Sequence, residues 1–481
     1  MSKLVSVNPS NGSVVYEVDY ETHESICEKV SEACEISKKW GLTSIDERVA
    51  ICERFTNILK ESVDDIALVI SEEMGKPVWE AKTEINAAIG KLNHSIRALD
   101  RVKRVEIDHG NFVSVTDFKP LGVVAILGPF NFPFHLLNSQ IVPALLMGNC
   151  VVFKPSHHTP FVGQCMFDMW DKAGLPKGVM NIVQGGADVG SVLCTSDVDG
   201  VFFTGSYEVG CKINKSLADR GSVDKVLALE MGGNNPLVVW DFKDDDVDNI
   251  ILNIIESSFI TSGQRCVCAR RLYIKNPTVN DGSSGDSYEL VRKLVDKVKS
   301  LKFSDALSNP SCGPLVSIEA AQKVLSRYFE LIEMGGKPLL KMRKSKYMNA
   351  LLYPGIVDMT DAVCFPDFEI FGPLLQIYFV DSFEDAVCEA NRTKYGLSAS
   401  LFTSDIGKWK FFKNVIKAGI VNLNKPTTGA LGENPFGGVG RSGNHRPSGF
   451  FASDYCCYPV ASVESDIITT PSNNYLWNNE G

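Results

Sequence analysis

Five apolar stretches decide the fold: "GVVAILGP" (122–129), "CVVFKPS" (150–156), "VMNIVQG" (179–185), "GVFFTGS" (200–206) and "VLALEMGG" (226–233). Each is short, carries β-branched or aromatic residues, and stops at glycine or proline. Between them lie helical patterns such as "FVGQCMFDMWDKAG" (161–174) and "EVGCKINKSLADRG" (208–221). Strand–helix alternation of this kind predicts βαβ units and a parallel sheet. A second alternating series starts near 235, with helices expected at about 246–261, 287–303, 317–334 and 382–393. Its strands are expected at "LLQIYFV" (374–380), "SASLFTS" (398–404) and "AGIVNLN" (418–424). Two α/β domains in tandem follow.

Upstream, residues 44–100 place apolar side chains at three- and four-residue spacing and read as amphipathic helices. The charged, alternating segment 100–120, with its "HGN" turn, reads as a hairpin. "NPTVNDGSSGDS" (276–287) reads as a surface insertion, and residues 466–481 as a loosely held tail. No internal repeat is present.

Composition narrows the function. The chain has 481 residues, 44% hydrophobic and 22% charged, enough for about three average domains. With 48 basic against 58 acidic residues the net charge is −10, which argues against a nucleic-acid partner. An anionic substrate must then be met by local arginines. The start of the chain lacks the apolar core of a signal peptide and no run of 18 apolar residues occurs, so a cytoplasmic protein without a membrane partner is expected. Fourteen cysteines in that setting are expected to be free thiols.

Four places carry chemistry. "GVFFTGSYEVG" (200–210) runs a strand through Gly205 and Ser206 into a helix containing Gly210, a way to bring backbone N–H groups to a pyrophosphate. A ligand-free strand–helix turn is its equal alternative. Lys154, with Ser156 just beyond, points an ammonium from the carboxyl edge of the sheet, where ligands bind; a solvated lysine is the alternative. Glu230, at a strand end before two glycines, is partly desolvated and suits a general base, or else a cap or buried ion pair. In "SGQRCVC" (262–268), Cys266 and Cys268 are too closely spaced for one zinc ion, and the compartment disfavours a disulfide. A thiolate nucleophile remains, with Arg265 and the glycine loop favouring ionisation, against an inert buried cysteine.

"GPFNFP" (128–133), "FKPS" (153–156), "FTGSYEVG" (203–210), "LEMGGNNP" (229–236), "GQRC" (263–266), "EIFGP" (369–373) and "NPFGGVGRSG" (434–443) occur in the order of the aldehyde dehydrogenase superfamily. The resemblance covers about residues 5–464. "GNNPL", "GQRCVCARR", "VNLNKPTTGA" and "SGNHRPS…ASDYC" are similar to the branch that oxidises a succinylated glutamate semialdehyde. The resemblance implies the aldehyde dehydrogenase fold: a Rossmann-like cofactor domain (1–99 and 121–232), an α/β catalytic domain (233–440) and a small β oligomerisation element (100–120 and 441–465). It implies Cys266 as nucleophile, Glu230 as base, and Asn131 with the Cys266 N–H as oxyanion hole. Lys154 then contacts the adenosine ribose, Gly205 and Ser206 the pyrophosphate, and Glu369 and Phe371 the nicotinamide ribose and ring. The product is a free acid, because relatives that acylate coenzyme A generally lack the glutamate.

A doubly acidic aldehyde calls for guanidinium forks. Arg265, His445 and Arg446 are the candidates, with Arg270 and Arg271 set aside as ties for helix ends. His135 lies either near the substrate channel or simply buried. NAD is the expected cofactor. NADP stays open, because His157, beside His158, stands where NAD-preferring relatives often carry a glutamate, and a protonated His157 attracts a 2′-phosphate. A homodimer or homotetramer is expected, no metal, and as rival functions another acidic semialdehyde (succinate or glutamate), a non-catalytic cofactor binder, or an ester hydrolase.

Overall fold

The computed structural model describes residues 3–278, 286–365 and 367–468. Residues 279–285 of the expected insertion and 469–481 of the expected tail lie outside the described residues. The five apolar stretches form one parallel sheet in the order Met180–Ile182, Cys150–Lys154, Val123–Leu127, Gly200–Gly205, Val226–Met231. Helices cover both faces, which is why these strands are apolar along their length rather than alternating. The chain order reverses beside Val123–Leu127, opening a crevice at the strands' carboxyl ends. Lys154, Gly205 and Glu230 all sit at that edge.

The second series forms a seven-stranded sheet: Lys337–Leu340, Gly355–Asp358, Leu374–Val380, Ala269–Lys275, Asn235–Val239, Ser398–Phe402, Ile420–Leu423. Only the pairing of the edge strand Lys337–Leu340 is antiparallel. The expected helices appear as Val247–Phe259, Ser287–Lys299, Ile318–Glu333 and Phe383–Ala390. The hairpin at 100–120 is Val105–Asp108 against Val113–Pro120, and Cys457–Glu464 pairs along the whole of the latter. A hairpin that patterning did not announce, Lys3–Val7 with Val14–Asp19, precedes the helical region. Four helices follow, the last being Val78–Ala98. Among the described residues, no helix is long and apolar enough to cross a membrane.

The first sheet's core locks the N-terminal helices to the helix after Lys154. Phe55 stacks on Trp170 with ring centroids 3.9 Å apart, both rings buried. Truncating such a residue leaves a cavity as well as losing transfer energy. Phe55→Ala should therefore cost about 3–5 kcal/mol in urea unfolding; a loss below about 1 kcal/mol would show that this contact does not hold the layer.

Candidate active site

Strand Val226–Met231 ends the first sheet and strand Asn235–Val239 begins the second, with Gly232, Gly233 and Asn234 between them. This link puts Glu230 of one sheet beside the start of the other. The buried Asn235 amide donates to the carbonyls of Cys266 (2.7 Å) and Cys268 (2.9 Å). The nucleophile segment is thereby tied to the strand next to Glu230. A Cβ at Gly232 would meet the Glu369 carboxylate and force it to move.

Cys266 follows a tight turn, Ile260–Gly263, in which Thr261 (φ 55°) and Ser262 (φ 53°) adopt the left-handed conformation without being glycine. Such backbone persists only where surroundings over-determine it. Here Ser262 donates to the Gly313 carbonyl (2.6 Å), and Arg270 donates to the carbonyls of Gly263 (2.7 Å) and Arg265 (2.9 Å). Asn131 donates one amide hydrogen to the Gln264 carbonyl (2.9 Å), leaving the other for a ligand. Among the described residues the Cys266 N–H has no acceptor. Thiol, amide and backbone donor thus converge.

Charge around the thiol is negative. Burial pushes the Cys266 thiol well above its usual range, and Glu230, Glu369 and Cys268 push it further, while the Val267 N–H pulls it back. The expectation that Arg265 favours the thiolate is corrected: its guanidinium points away, to Glu80 (2.8 Å) and Thr261 (2.8 Å). Burial likewise raises the Glu230 carboxyl well above the ordinary range, and neither of its oxygens has a donor. A free carboxylate with raised affinity for protons, beside a thiol, is a competent base. Glu369 is pushed up to about 7 by burial, against Arg270 and the Gly233 N–H (3.2 Å).

A cleft of about 410 Å³ runs along these groups, lined by Asn131, Ser156, Gly205, Ser206, Glu230, Cys266, Glu369 and Phe371. Ser206 caps the helix Tyr207–Asp219, whose N-terminus faces the cleft and suits an anion. Gly210 does not line it: Gly210 is buried in the first turn against Met231, so its expected cofactor contact is corrected to close helix–sheet packing. Lys154 is buried and brought down to about 8, its ammonium donating to the carbonyls of Pro155 and Gly185 (both 2.9 Å). At His157, burial, then Lys154, lowers the proton affinity, which works against a cationic imidazole there. A crevice at a strand-order reversal, with a helix N-terminus at one end and an unpartnered carboxylate and thiol at the other, fits a dinucleotide.

The expected substrate forks separate. Arg265 is removed from that role by its ion pair with fully buried Glu80. His445 and Arg446 are exposed and do not line the cleft, but their loop passes the other side of the base. Gly443 bridges to Glu230, and Asn444 stitches the loop to the Leu227 carbonyl (2.8 Å) and Leu229 N–H (2.9 Å). Arg271 holds the helix-end carbonyls of Glu389 (3.1 Å) and Ala390 (3.0 Å). His135 sits one turn past Asn131, its Nδ1 buried without a partner and burial bringing it to about 4. Asn235, Asn444 and Glu80 were missed by pattern reading. The only signal was a polar residue opening an apolar strand in "GNNPLVV".

Comparison with known proteins agrees with this geometry. The sequence pattern of the Aldehyde dehydrogenase family matches residues 2–459. The chain is 44% identical over 471 residues, 97% of its length and 93% of the relative's, to N-succinylglutamate 5-semialdehyde dehydrogenase of Legionella pneumophila (strain Corby). Among solved structures it resembles glyceraldehyde-3-phosphate dehydrogenase of Methanocaldococcus jannaschii with NADP (TM-score 0.88, 28% identity, 96% and 98% of the two chains). It also resembles an aldehyde dehydrogenase of Physcomitrella patens in complex with the reaction product succinate (TM-score 0.89, 26% identity, 98% and 96%).

Because folding raises the Cys266 thiol, its thiolate forms only above the ordinary thiol range in protein without ligand. Peptide-resolved alkylation of Cys266 by iodoacetamide should still be accelerating at pH 9; a plateau below pH 8 would mean that a cation faces the sulfur.

Proposed function

Since the chain belongs to the aldehyde dehydrogenase family and is an oxidoreductase using NAD(P), we propose that it oxidises N-succinyl-L-glutamate 5-semialdehyde to N-succinyl-L-glutamate, with NAD. The observation that carries the chemistry is the unpartnered, buried Glu230 beside Cys266 and Asn131. What supports the substrate is that relatives 44% identical along almost the whole chain are N-succinylglutamate 5-semialdehyde dehydrogenases.

The reaction is derived from these residues. Glu230 takes the Cys266 proton, and the thiolate adds to the aldehyde carbon. Negative charge then develops on the substrate oxygen, where the second Asn131 hydrogen and the Cys266 N–H receive it. One such donor is worth about 3–4 kcal/mol. The nicotinamide, when bound, accepts the hydride that the resulting thiohemiacetal releases. Glu230 passes on its proton, then draws one from the water that hydrolyses the thioester, returning acid and thiol. Lys154 and Ser156 hold the adenosine end, Gly205 and Ser206 the pyrophosphate, and Glu369 and Phe371 the nicotinamide end.

The lowered proton affinity of His157 supports NAD, while the absence of a glutamate at that position keeps NADP as the alternative. Arg446, exposed in the loop whose Gly443 bridges to Glu230, is the fork offered to a substrate carboxylate. The rest of the reading assigns residues 1–99 and 121–232 to the cofactor, 233–440 to catalysis, and the three-stranded sheet to a homodimer or homotetramer. The outer strand of that sheet, Val105–Asp108, is exposed throughout, and such edges are normally paired.

A panel of N-succinylglutamate, succinate and glutamate semialdehydes with NAD and NADP separates the acidic semialdehydes. The highest kcat/KM should fall on the succinylated substrate with NAD, with Cys266→Ser inactive and an acyl adduct on Cys266 by mass spectrometry. Highest turnover of succinate semialdehyde would replace the substrate assignment. Arg446→Ala should raise KM about tenfold for the dianionic aldehyde, the loss of one charge-assisted contact, and leave a neutral aldehyde unchanged; equal effects would remove Arg446 from the site.

A further inference from the structure

Asn131 and Cys266 lie in segments far apart in sequence, yet an oxyanion hole works only if their donors hold a fixed separation. One helix contacts both segments. On Val78–Ala98, Glu84 Oε1 accepts the backbone N–H groups of Phe134 (2.9 Å) and His135 (3.0 Å), just past Asn131. One turn earlier, Glu80 accepts the Thr261 N–H (3.2 Å), the Thr261 hydroxyl and the Arg265 guanidinium (2.8 Å), just before Cys266. Four residues along a helix rise about 6 Å, and two carboxylates at that spacing share a face.

Charge is balanced within the group. Lys76 donates to Glu84 Oε2 (2.5 Å) and Arg265 pairs with Glu80; the Lys76, Glu80 and Glu84 side chains have no exposure. Phe132, next to Asn131, is held between the two cations, with Lys76 3.8 Å and Arg265 4.9 Å from its ring centre. The buried charges are therefore neutralised without touching the thiol, and each glutamate still has an oxygen bonded to one loop.

We propose that Glu80 and Glu84 are positioning residues, a two-carboxylate clamp that fixes the Asn131 loop against the Cys266 loop and so sets the oxyanion hole. The proposal rests on the assignment of Cys266 and Asn131 as the acyl-transfer pair. It concerns no particular aldehyde, so its test uses 4-nitrophenyl acetate, whose hydrolysis needs thiol and oxyanion hole but neither cofactor nor the proposed substrate. Iodoacetamide alkylation of Cys266, followed on its peptide, needs the thiol but no oxyanion donor.

Glu84→Ala is expected to slow hydrolysis about 100-fold, the range for losing one donor, with alkylation within twofold of the unaltered protein. Glu84→Gln, which keeps an acceptor oxygen, should restore all but about fivefold. Glu84→Ala leaves Lys76 buried without its counterion, so Lys76→Met/Glu84→Ala is made beside it and should lose hydrolysis equally. In an Asn131→Ala background Glu84→Ala should add less than twofold, since it acts through Asn131. Parallel loss of alkylation and hydrolysis, or full additivity with Asn131→Ala, overturns the clamp. Failure of every semialdehyde to yield NADH would instead overturn the substrate assignment and leave this result standing.

Discussion

The site depends on the Asn235 side chain, which holds the Cys266 segment to the strand that follows Glu230. Two sheets with separate cores meet through three residues, and each is bound in place. Ser442 donates to the Gly232 carbonyl (2.7 Å), Arg271 to that of Asn234 (2.7 Å), and the Gly233 N–H goes to Glu369. Through this hydrogen-bonded link, strand Val226–Met231 brings Glu230 to the same crevice as Cys266. A longer or unbonded connection would let the two sheets drift apart, and a base and nucleophile an ångström out of place lose much of their rate.

The second constraint is charge. Glu230, Glu369 and Cys266 crowd one crevice, where Arg270 lies 3.9 Å from Glu369 and Lys323 and Arg327 also line the wall. Burying carboxylates works against stability, and the two further buried carboxylates Glu84 and Glu80 are paired with Lys76 and Arg265. Burial and the neighbouring carboxylates push the Cys266 thiol well above its usual range, so the proposed mechanism has it react once Glu230 takes its proton. A resting thiol is also less prone to oxidation than a thiolate.

Much of the fold was legible. Short apolar strands between helical patterns announced both sheets, because burial on both faces forces continuous hydrophobicity. The helices and strands of the second half fall within a few residues of their expected spans. The first hairpin escaped, since its strand Val14–Asp19 is largely exposed and carries no clean alternation. In the site, glycine turns and strand-end charges revealed Lys154, Gly205, Ser206 and Glu230. The glycine loop before Cys266 had already marked that thiol, and the ordered motifs added Asn131, Glu369 and Phe371. Arg265 and Gly210 were misread for the same reason: adjacency in sequence says nothing of direction. Arg265 neighbours Cys266 but faces Glu80, and Gly210 neighbours the turn but packs on Met231.

By itself, then, the sequence determined the two α/β layers, the crevice edge and the chemical identities gathered there, because periodicity and strand-end position are local properties that each segment carries alone. The tertiary structure decided which charges neutralise one another, that burial pushes the Cys266 thiol up and the His157 imidazole down, and that one helix face joins the Asn131 and Cys266 loops. Burial and Coulomb interactions depend on distances between segments far apart in the chain, and no local pattern encodes those distances.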